Sequence, residues 1–354
     1  MVRLTRAQQQ VRTRASVLAA AKAEFTEHGY ALAKVDRIAE RAELTRGAVY
    51  SNFPGKRALY LAVLIDMAGS GDGAPPASPA RPASPADALE DFARVWLERL
   101  PLGGTAWGGR LQLRSLDGVL HDEHSREVLA QVARLEAVLL AIGLEGGEPA
   151  RRVRLAELVL TLLDGASHRA ETAPGFGDPF DLTHACRHLA DIDLTDTWAP
   201  PHLPFVTPPK PCADTWDAPE GLVDQVNGQQ VDLTSDGLIA VLGAGRLGAA
   251  EEAVRSGEPV TIVVVTGDPA ETGRLVRLRV TDLVGCLRRV FAPEVWQRVR
   301  LVLDDEALVA SALGVTDPGD ETEVAVRVQD GVIVARSGGR GAGHAVSAAR
   351  KATS

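Results

Sequence analysis

The side chains best suited to chemistry with a partner are concentrated between positions 46 and 52. They are Arg46, Gly47, Tyr50, Ser51 and Asn52. If this stretch is helical, they share an outward face, because the apolar Val49 and Phe53 fall on the opposite side. Guanidinium, amide and hydroxyl groups can hydrogen-bond phosphate oxygens and base edges, and a short helix fits the major groove. The chemistry indicated is recognition of duplex nucleic acid.

Two short helices and a turn are expected to position that face. Ile38, Ala39 and Ala42 recur at helical spacing, which predicts a helix from position 35 with one apolar side. Positions 43–44 make the turn, and Thr45 can cap the second helix because its hydroxyl can accept a free backbone N–H. That helix covers 46–53 and stops at Pro54. A longer helix, 13–28, precedes the pair and ends at positions 29–30.

The run VDRIAERAELTRGAVYSNFPGKRAL closely resembles the DNA-binding region of the TetR (tetracycline-repressor) family. The resemblance covers about residues 10–65 and depends on the whole set of positions. Glu43 stands where the family usually has a turn glycine, and Ala48 replaces a common threonine. Lys34 and Val35 replace a threonine-rich helix start. None of these departures breaks the helix-turn-helix pattern, although Glu43 brings an acid near the DNA.

The resemblance implies a division between phosphate and base contacts. Tyr50, through its hydroxyl, and Lys56 correspond to phosphate contacts, although Tyr50 could alternatively belong to the core. The outward residues of the second helix would face bases. The expected DNA-binding residues are Arg37, Thr45, Arg46, Gly47, Tyr50, Ser51, Asn52 and Lys56. Four further cations, Arg3, Arg6, Arg12 and Arg14, are expected to form a basic arm ahead of the first helix; a solvated tail is the alternative for the first two.

Charge is divided unevenly along the 354 residues. The net charge is −9, and residues 1–66 hold eleven Lys/Arg against six Asp/Glu, which leaves that segment at +5 and the remainder at −14. Only the basic head is therefore expected to meet phosphate. There is no run of 18 apolar residues, no secretory start and no paired-cysteine motif, which together predict a cytoplasmic protein without a membrane span.

Apolar periodicity, composition and the TetR resemblance together predict five segments. They are a helix-turn-helix domain at 1–66, a low-complexity Pro/Ala/Ser loop at 67–85, a helical domain at 86–195, a Pro-rich linker at 196–219 and an α/β domain at 220–354. The TetR resemblance implies that the helical domain binds an effector and dimerises through helices near 152–169 and 180–192. Dimerisation also has an independent reason, because one short helix reads few bases and two-fold symmetry doubles the readout.

Several polar clusters in the helical domain have a functional and a structural interpretation. The run from His121 to His124, with Asp122 and Glu123 between, could ligate a metal, but acids at a helix start more often stabilise the helix dipole. His184 and His188 share a helical face but show no third ligand, so no metal or cofactor is expected. Trp96, Trp107 and Arg110 could line an effector pocket, and core packing explains them equally well. An apolar segment at 111–120 is expected to join the same domain.

The C-terminal domain alternates strands and helices. Strands are predicted at 230–233, 237–242, 260–266 and 299–303, with a hairpin pairing 323–328 and 332–337. Glycines 243, 245 and 248 form G-x-G-x-x-G between a strand and a helix, which would suit a Rossmann pyrophosphate site. The element order, together with NGQQVDL, LVLDDEALVASALGV and VAVRVQDGVIVARSGG, instead resembles redoxins and peroxiredoxins. We favour the thioredoxin-like fold, because a terminal antiparallel hairpin is hard to place in a Rossmann domain of this size.

Redox activity does not carry over with that resemblance. The redox cysteine of that family would fall at 243–246, where this sequence has none. Cys286 lies in a predicted helical segment, and we expect its side chain to be buried rather than reactive. The sequence therefore predicts a multidomain, non-enzymatic, homodimeric transcriptional regulator. We expect a repressor that binds a pseudo-palindromic operator in double-stranded DNA and is released by an unknown small-molecule effector. The alternative is a DNA-binding head fused to a nucleotide-dependent or redox enzyme domain that carries the G-x-G-x-x-G motif at 243–248.

Overall fold

A computed structural model describes residues 5–70, 82–100, 116, 118–148, 150–173, 175, 177–199 and 203–348. Outside these ranges lie Arg3, Trp107 and Arg110, together with most of the predicted loop at 67–85 and of the apolar segment at 111–120. None of the helices in the described ranges combines the length and the apolar character that crossing a membrane requires.

Three helices form the N-terminal head: α1 (Arg6–Leu32), α2 (Val35–Arg41) and α3 (Arg46–Asn52). Helix α1 begins earlier than the sequence pattern predicted, because Thr5 and Gln8 form a reciprocal capping box. The prediction of a basic arm was therefore wrong for Arg6, Arg12 and Arg14, which lie on α1 itself. The predicted stop is present as a break in α1 at Gly29, whose φ is 69°.

The turn between α2 and α3 follows the predicted helix-turn-helix pattern. Glu43 adopts a left-handed φ of 55°, the conformation for which glycine is the usual residue. The Thr45 hydroxyl then caps α3 by accepting the Ala48 N–H at 3.2 Å. Phe25, Ile38 and Phe53 are fully buried and hold the three helices together.

Among the described residues of the central body there are five helices: α4 (Lys56–Ser70), α5 (Pro85–Leu97), α6 (Glu123–Glu145), α7 (Val153–Thr172) and α8 (Pro179–Leu189). Helices α8 and α5 pack against each other, as do α6 and α7. Trp96 on α5 is buried, and its indole N–H donates to the Ser167 hydroxyl on α7 at 3.2 Å. Of the two interpretations offered for Trp96, core packing is therefore the one that fits.

The C-terminal part is built on a six-stranded mixed sheet. Its strands are β1 (Lys210–Thr215), β2 (Gly237–Gly243), β3 (Val260–Val265), β4 (Val299–Leu303), β5 (Glu323–Gln329) and β6 (Val332–Gly338), arranged in the order β1-β6-β5-β2-β3-β4. Strands β2, β3 and β4 are parallel, whereas β5, β6 and β1 each run antiparallel to the preceding neighbour in the order β2-β5-β6-β1. The antiparallel half contradicts an all-parallel doubly wound sheet.

The observed strands differ from the predicted ones in two places. The predicted linker at 196–219 contributes the edge strand β1, which its prolines concealed because proline is tolerated at a sheet edge. The predicted strand at 230–233 is reduced to one isolated bridge between Val223 and Gln230. The predicted hairpin is present, with Asp330 and Gly331 at positive φ in its two-residue turn.

Four helices accompany the sheet: α9 (Ala250–Val254), α10 (Thr272–Val290), α11 (Leu308–Ala312) and α12 (Ala342–Ala348). Helix α10 packs against α4, α5 and α6 of the helical body, and one continuous apolar core joins these helices to the sheet. A second, smaller core on the other side of the sheet surrounds Val241, Val263 and Val326. The α/β part is thus packed into the rest of the chain rather than tethered to it.

Candidate nucleic-acid interface

Helix α3 presents the expected face to solvent. Val49 and Phe53 are buried, which fixes the rotation of the helix against α1 and α2. The opposite side leaves Arg46, Gly47, Tyr50 and Ser51 exposed and Asn52 half-buried. Thr45 is also exposed, but its hydroxyl is engaged as the helix cap. The structure therefore brings these predicted residues together on one short helix.

Arg46 is held in place at the start of that face. Its guanidinium lies 3.3 Å from Asp36 and donates to the Tyr50 hydroxyl at 3.5 Å, with the Tyr50 ring centroid 5.4 Å away. The bond to the Tyr50 hydroxyl and the nearby Asp36 charge raise the pKa of Arg46. Because 61% of the Arg46 side chain remains exposed, water competes with these contacts and a phosphate or base edge can replace them.

Ser51 and Asn52 both bond back to the same carbonyl. The Ser51 hydroxyl and the Asn52 amide each donate to the Ala48 oxygen at 2.9 Å. These bonds use one donor of each side chain and leave each with an acceptor oxygen. The two residues are thereby oriented on the helix while keeping polar atoms for a partner.

Arg14 joins the interface from α1. Its guanidinium stacks 4.5 Å from the centre of the Phe53 ring and lies 3.5 Å from the carbonyl oxygen of Asn52. The sequence placed Arg14 in an arm, whereas the structure places it at the end of α3. A cation at a helix C-terminus also interacts favourably with the helix dipole.

Lys56, unlike the residues of α3, has its ammonium group packed against the end of α1. Its ammonium donates to the Ala31 carbonyl at 3.2 Å and sits 4.8 Å from the Tyr30 ring centroid. Partial burial lowers the pKa of Lys56. In this conformation Lys56 joins the start of α4 to the end of α1, and contact with phosphate would require it to exchange that carbonyl for the anion.

Glu24 lies beside both arginines of α2, and the sequence did not lead us to predict this role. Its side chain is fully buried, accepts the Lys34 N–H at 3.2 Å and lies 3.7 Å from Arg37 and 3.4 Å from Arg41. An acid on the apolar stripe of α1, directly before Phe25, was the available signal. Arg37 itself is 47% exposed, so it remains accessible beside the head.

Glu24, Glu27 and His28 also form the one group of three possible metal ligands within the described ranges. Arg41 donates to both Glu27 oxygens at 3.0 and 2.5 Å and lies beside Glu24. Arg37 and Arg41 supply positive charge beside the Glu24 and Glu27 carboxylates, so an ion-pair network explains this cluster. The His124 ring lies 2.8 Å from the Asp320 carboxylate. His184 and His188 are exposed on α8.

The glycine loop at 243–248 is closed by the chain itself. A Cβ atom on Gly243 would lie 2.2 Å from the Asp320 carbonyl oxygen, and the Gly245 N–H donates to the same oxygen at 2.8 Å. The Gly248 N–H donates to the Gln131 side chain of α6 at 2.9 Å. Because these amides already have protein partners and α9 has only five residues, the loop does not offer the open helix N-terminus that a pyrophosphate needs.

A groove of about 450 Å³ lies between α6, α7 and α10. Its lining includes Arg126, Leu129, Asp164, His168, Glu171 and Arg279. The groove combines apolar side chains with charges of both signs, as small-molecule sites commonly do. It is one candidate effector site among the described residues, and Trp96 is not part of its lining.

Residues 17–63 match the family model for bacterial regulatory proteins of the tetR family. A search of curated proteins found no match. Among solved structures, a transcriptional regulator from Rhodococcus sp. Rha1 is 24% identical, with 50% of this chain and 94% of that chain covered and a TM-score of 0.34. RolR, solved with resorcinol, is 22% identical, with 54% and 92% covered and a TM-score of 0.34. The family-model match falls on the same head that carries the exposed α3 face.

Proposed function

We propose that this chain, a TetR-family transcriptional regulator by its N-terminal head, represses transcription as a homodimer bound to a pseudo-palindromic operator. The observation that carries the proposal is the outward face of α3, on which Arg46 and Ser51 are exposed and Asn52 is half-buried, beside Arg14. Arg46, Gly47, Ser51 and Asn52 contact bases, and Tyr50, Thr45, Arg37 and Lys56 contact or position phosphates. A basic head on an acidic body directs only this end of the molecule to DNA.

A homodimer follows from the small reach of α3. The helix has seven residues, so one copy reads few base pairs, and a second copy supplies the other half-site. Helices α7 and α8 are the proposed contact, forming a four-helix bundle with their counterparts. Phe180 on α8 is 74% exposed and Leu158 on α7 is 37% exposed, which supports an apolar contact on this side.

A small-molecule effector is proposed for the groove between α6, α7 and α10. Binding there would favour one separation of the two heads and lower operator affinity, since a ligand shifts the equilibrium toward the conformation it binds better. The C-terminal part is proposed to be thioredoxin-like on its element order and its terminal hairpin. No redox or nucleotide chemistry is proposed for it, because Cys286 is fully buried and the glycine loop is filled by the chain's own atoms. The protein acts in the cytoplasm.

Selection of bound duplexes from a random pool by the full-length protein tests this function. We expect a two-fold symmetric consensus and an affinity that falls steeply with salt, because phosphate contacts release counterions. Light scattering of the complex should give two chains per duplex. A selected pool without a consensus, or binding that does not respond to salt, would overturn the proposal.

A further inference from the structure

Helix α10 of the C-terminal part contacts several helices of the helical body. The helix packs on α4, α5 and α6, and its buried residues share one apolar core with residues of the sheet. Polar contacts accompany this packing along its length. Arg279 forms two bonds to Glu136 of α6 at 2.9 and 2.7 Å, and Asp282 pairs with Arg99 at 2.6 Å. A movement of α10 therefore cannot leave the helical body unchanged.

The N-terminal end of α10 reaches the DNA-binding head. Arg57, in the first turn of α4, forms ion pairs with Glu271 at the start of α10 and, at 2.6 Å, with Asp122 at the start of α6. We call these three residues the Arg57 node. The Arg57 and Glu271 side chains are 27% and 25% exposed, so their pair is partly shielded from water, whereas Asp122 is 46% exposed. Three elements thus meet one turn beyond the head.

Two further contacts extend from α10, one to α4 and one to Phe53 at the end of α3. Arg274 donates to the Ala58 carbonyl at 3.3 Å, and its guanidinium lies 5.3 Å from the Phe53 ring centroid. Arg14 of the DNA-facing surface lies 4.5 Å from the same ring. A Cβ atom on Gly55 would come within 2.9 Å of the Glu271 carboxylate, which shows how closely the two parts fit. Phe53 therefore lies between the DNA-facing surface and the C-terminal part.

We propose that the α/β part is a regulatory domain that sets the position of the DNA-binding head through α10 and the Arg57 node. This inference rests on the proposed function, and it assigns control to the α/β part, whose helix α10 also lines the effector groove through Arg279. When the node is closed, α4 is held against both α6 and α10, and the head is held ready for the operator. Opening the node leaves the head free to rotate about α4, and ordering it on DNA then costs affinity.

The test uses the full-length chain with Glu271→Gln, which removes the charge and keeps the shape. Its matched control is Glu98→Gln, because Glu98 pairs with Arg289 at 2.6 Å, at the other end of α10 and far along the helix from the head. Affinity for the selected operator is measured by fluorescence anisotropy over a series of salt concentrations. We expect Glu271→Gln to weaken binding roughly threefold or more. The salt slope should stay the same because no phosphate contact is lost, and Glu98→Gln should match the wild type.

A double-mutant cycle with Arg57→Met identifies the node as the cause. The losses from Arg57→Met and Glu271→Gln should be non-additive, since both break one interaction. Equal affinity of Glu271→Gln and wild type, or an equal loss in Glu98→Gln, would overturn the inference while leaving the DNA-binding function intact. A wild-type chain that selects no duplex would instead remove the proposed function.

Discussion

Arg46 has two partners within its own head and none of them is buried. Asp36 and Tyr50 orient the guanidinium, yet its exposure leaves it able to exchange them for a base edge or a phosphate. Such exchange costs little because exposed ion pairs contribute only a small free energy in water. The Arg46 guanidinium is therefore oriented by its neighbours and still accessible to a DNA partner.

Arg46→Ala should weaken binding to the selected operator by about 1–3 kcal/mol, with a smaller loss on unrelated duplexes. The reason is that a base contact contributes to specificity, whereas a phosphate contact contributes equally to all sequences. Arg94→Ala is the control, because Arg94 is similarly exposed on α5 and removes the same charge from the acidic body. Fluorescence anisotropy on both duplexes measures the difference. Equal losses for the two variants would remove Arg46 from the base-reading set.

Glu43 departs from the family pattern and carries a conformational cost. Its φ of 55° is unfavourable for a residue with a Cβ atom, whereas glycine adopts it freely. Glu43→Gly should raise the free energy of unfolding by up to about 1 kcal/mol, measured by urea denaturation. Glu40→Gly, inside helical α2, should lower it by about the same amount. Destabilisation by Glu43→Gly would mean that the Glu43 side chain contributes more than its backbone costs.

Glu252 titrates in an unusual range. Burial and the neighbouring Glu323 charge raise the pKa of Glu252 to about 7, although Arg246 opposes the shift. Folding therefore favours the protonated acid, and its contribution to stability is fully present below pH 4.5, the ordinary pKa. That contribution is lost as the pH rises to about 7.

We expect this group to account for about 1–2 kcal/mol of unfolding free energy lost between pH 5 and pH 8, a range limited by partial exposure to water. Urea denaturation across that pH range measures the loss. Glu252→Gln keeps the size and stays neutral, so its pH profile should be flatter than that of the wild type over this range. Parallel profiles would show that other groups determine the pH dependence.

At the scale of elements, local patterns predicted much of the fold. The turn signal, the Thr45 cap and the apolar spacing defined α2 and α3 within a residue, and β4 was predicted with its observed bounds. The start of α1 was missed although Thr5-x-x-Gln8 is a capping-box pattern. Strand β1 was missed because its partner, β6, lies about 120 residues away and nothing local indicates that pairing.

The packing partners of α10 could not be predicted from the sequence, for a different reason. Its apolar residues predict burial, but burial does not specify which helices provide the cover. Cys286 was correctly expected to be buried, and the pairing of Arg279 with Glu136 could not be read from either residue alone. Likewise, the face of α3 was predictable, whereas the contributions of Arg14 and Glu24 depended on the way α1 crosses the other two helices.

Glu136→Gln should destabilise the protein by about 3 kcal/mol, because it leaves the nearly buried Arg279 guanidinium without its two-bond partner. Asp164, 3.5 Å from Arg279, retains part of the interaction. The double variant Glu136→Leu with Arg279→Met removes both charges and should recover most of the loss. Urea denaturation of the three proteins makes the comparison. A loss below about 1 kcal/mol in Glu136→Gln would contradict the importance of this pair for α6–α10 packing.

At the scale of the whole molecule, the central observation is one apolar core shared by the helical body and the α/β part. Residues of α4, α5 and α6 lie in the same cluster as those of α10 and β2. The predicted linker at 196–219 therefore marks a change in amino-acid composition, but the parts before and after it share one apolar core. A chain in which two parts share a core is expected to unfold as one cooperative unit.

A chain ending at residue 199 should fail to reach a stable fold, because it lacks the α10 surface that covers α4, α5 and α6. Thermal denaturation of the full-length chain should show one transition, and the shortened chain should aggregate or bind a hydrophobic dye. A shortened chain that melts cooperatively near the full-length temperature would show that the helical body is independent.

The shared core also governs the order of events during synthesis. Residues 5–199 leave the ribosome before α10, so the nascent helical body must wait for residue 290 before its apolar face can be covered. At roughly 5–20 residues per second, that interval of about 90 residues lasts roughly 5–20 s. During this time the unfinished surface is accessible to chaperones, and translation speed between residues 200 and 290 becomes a determinant of yield.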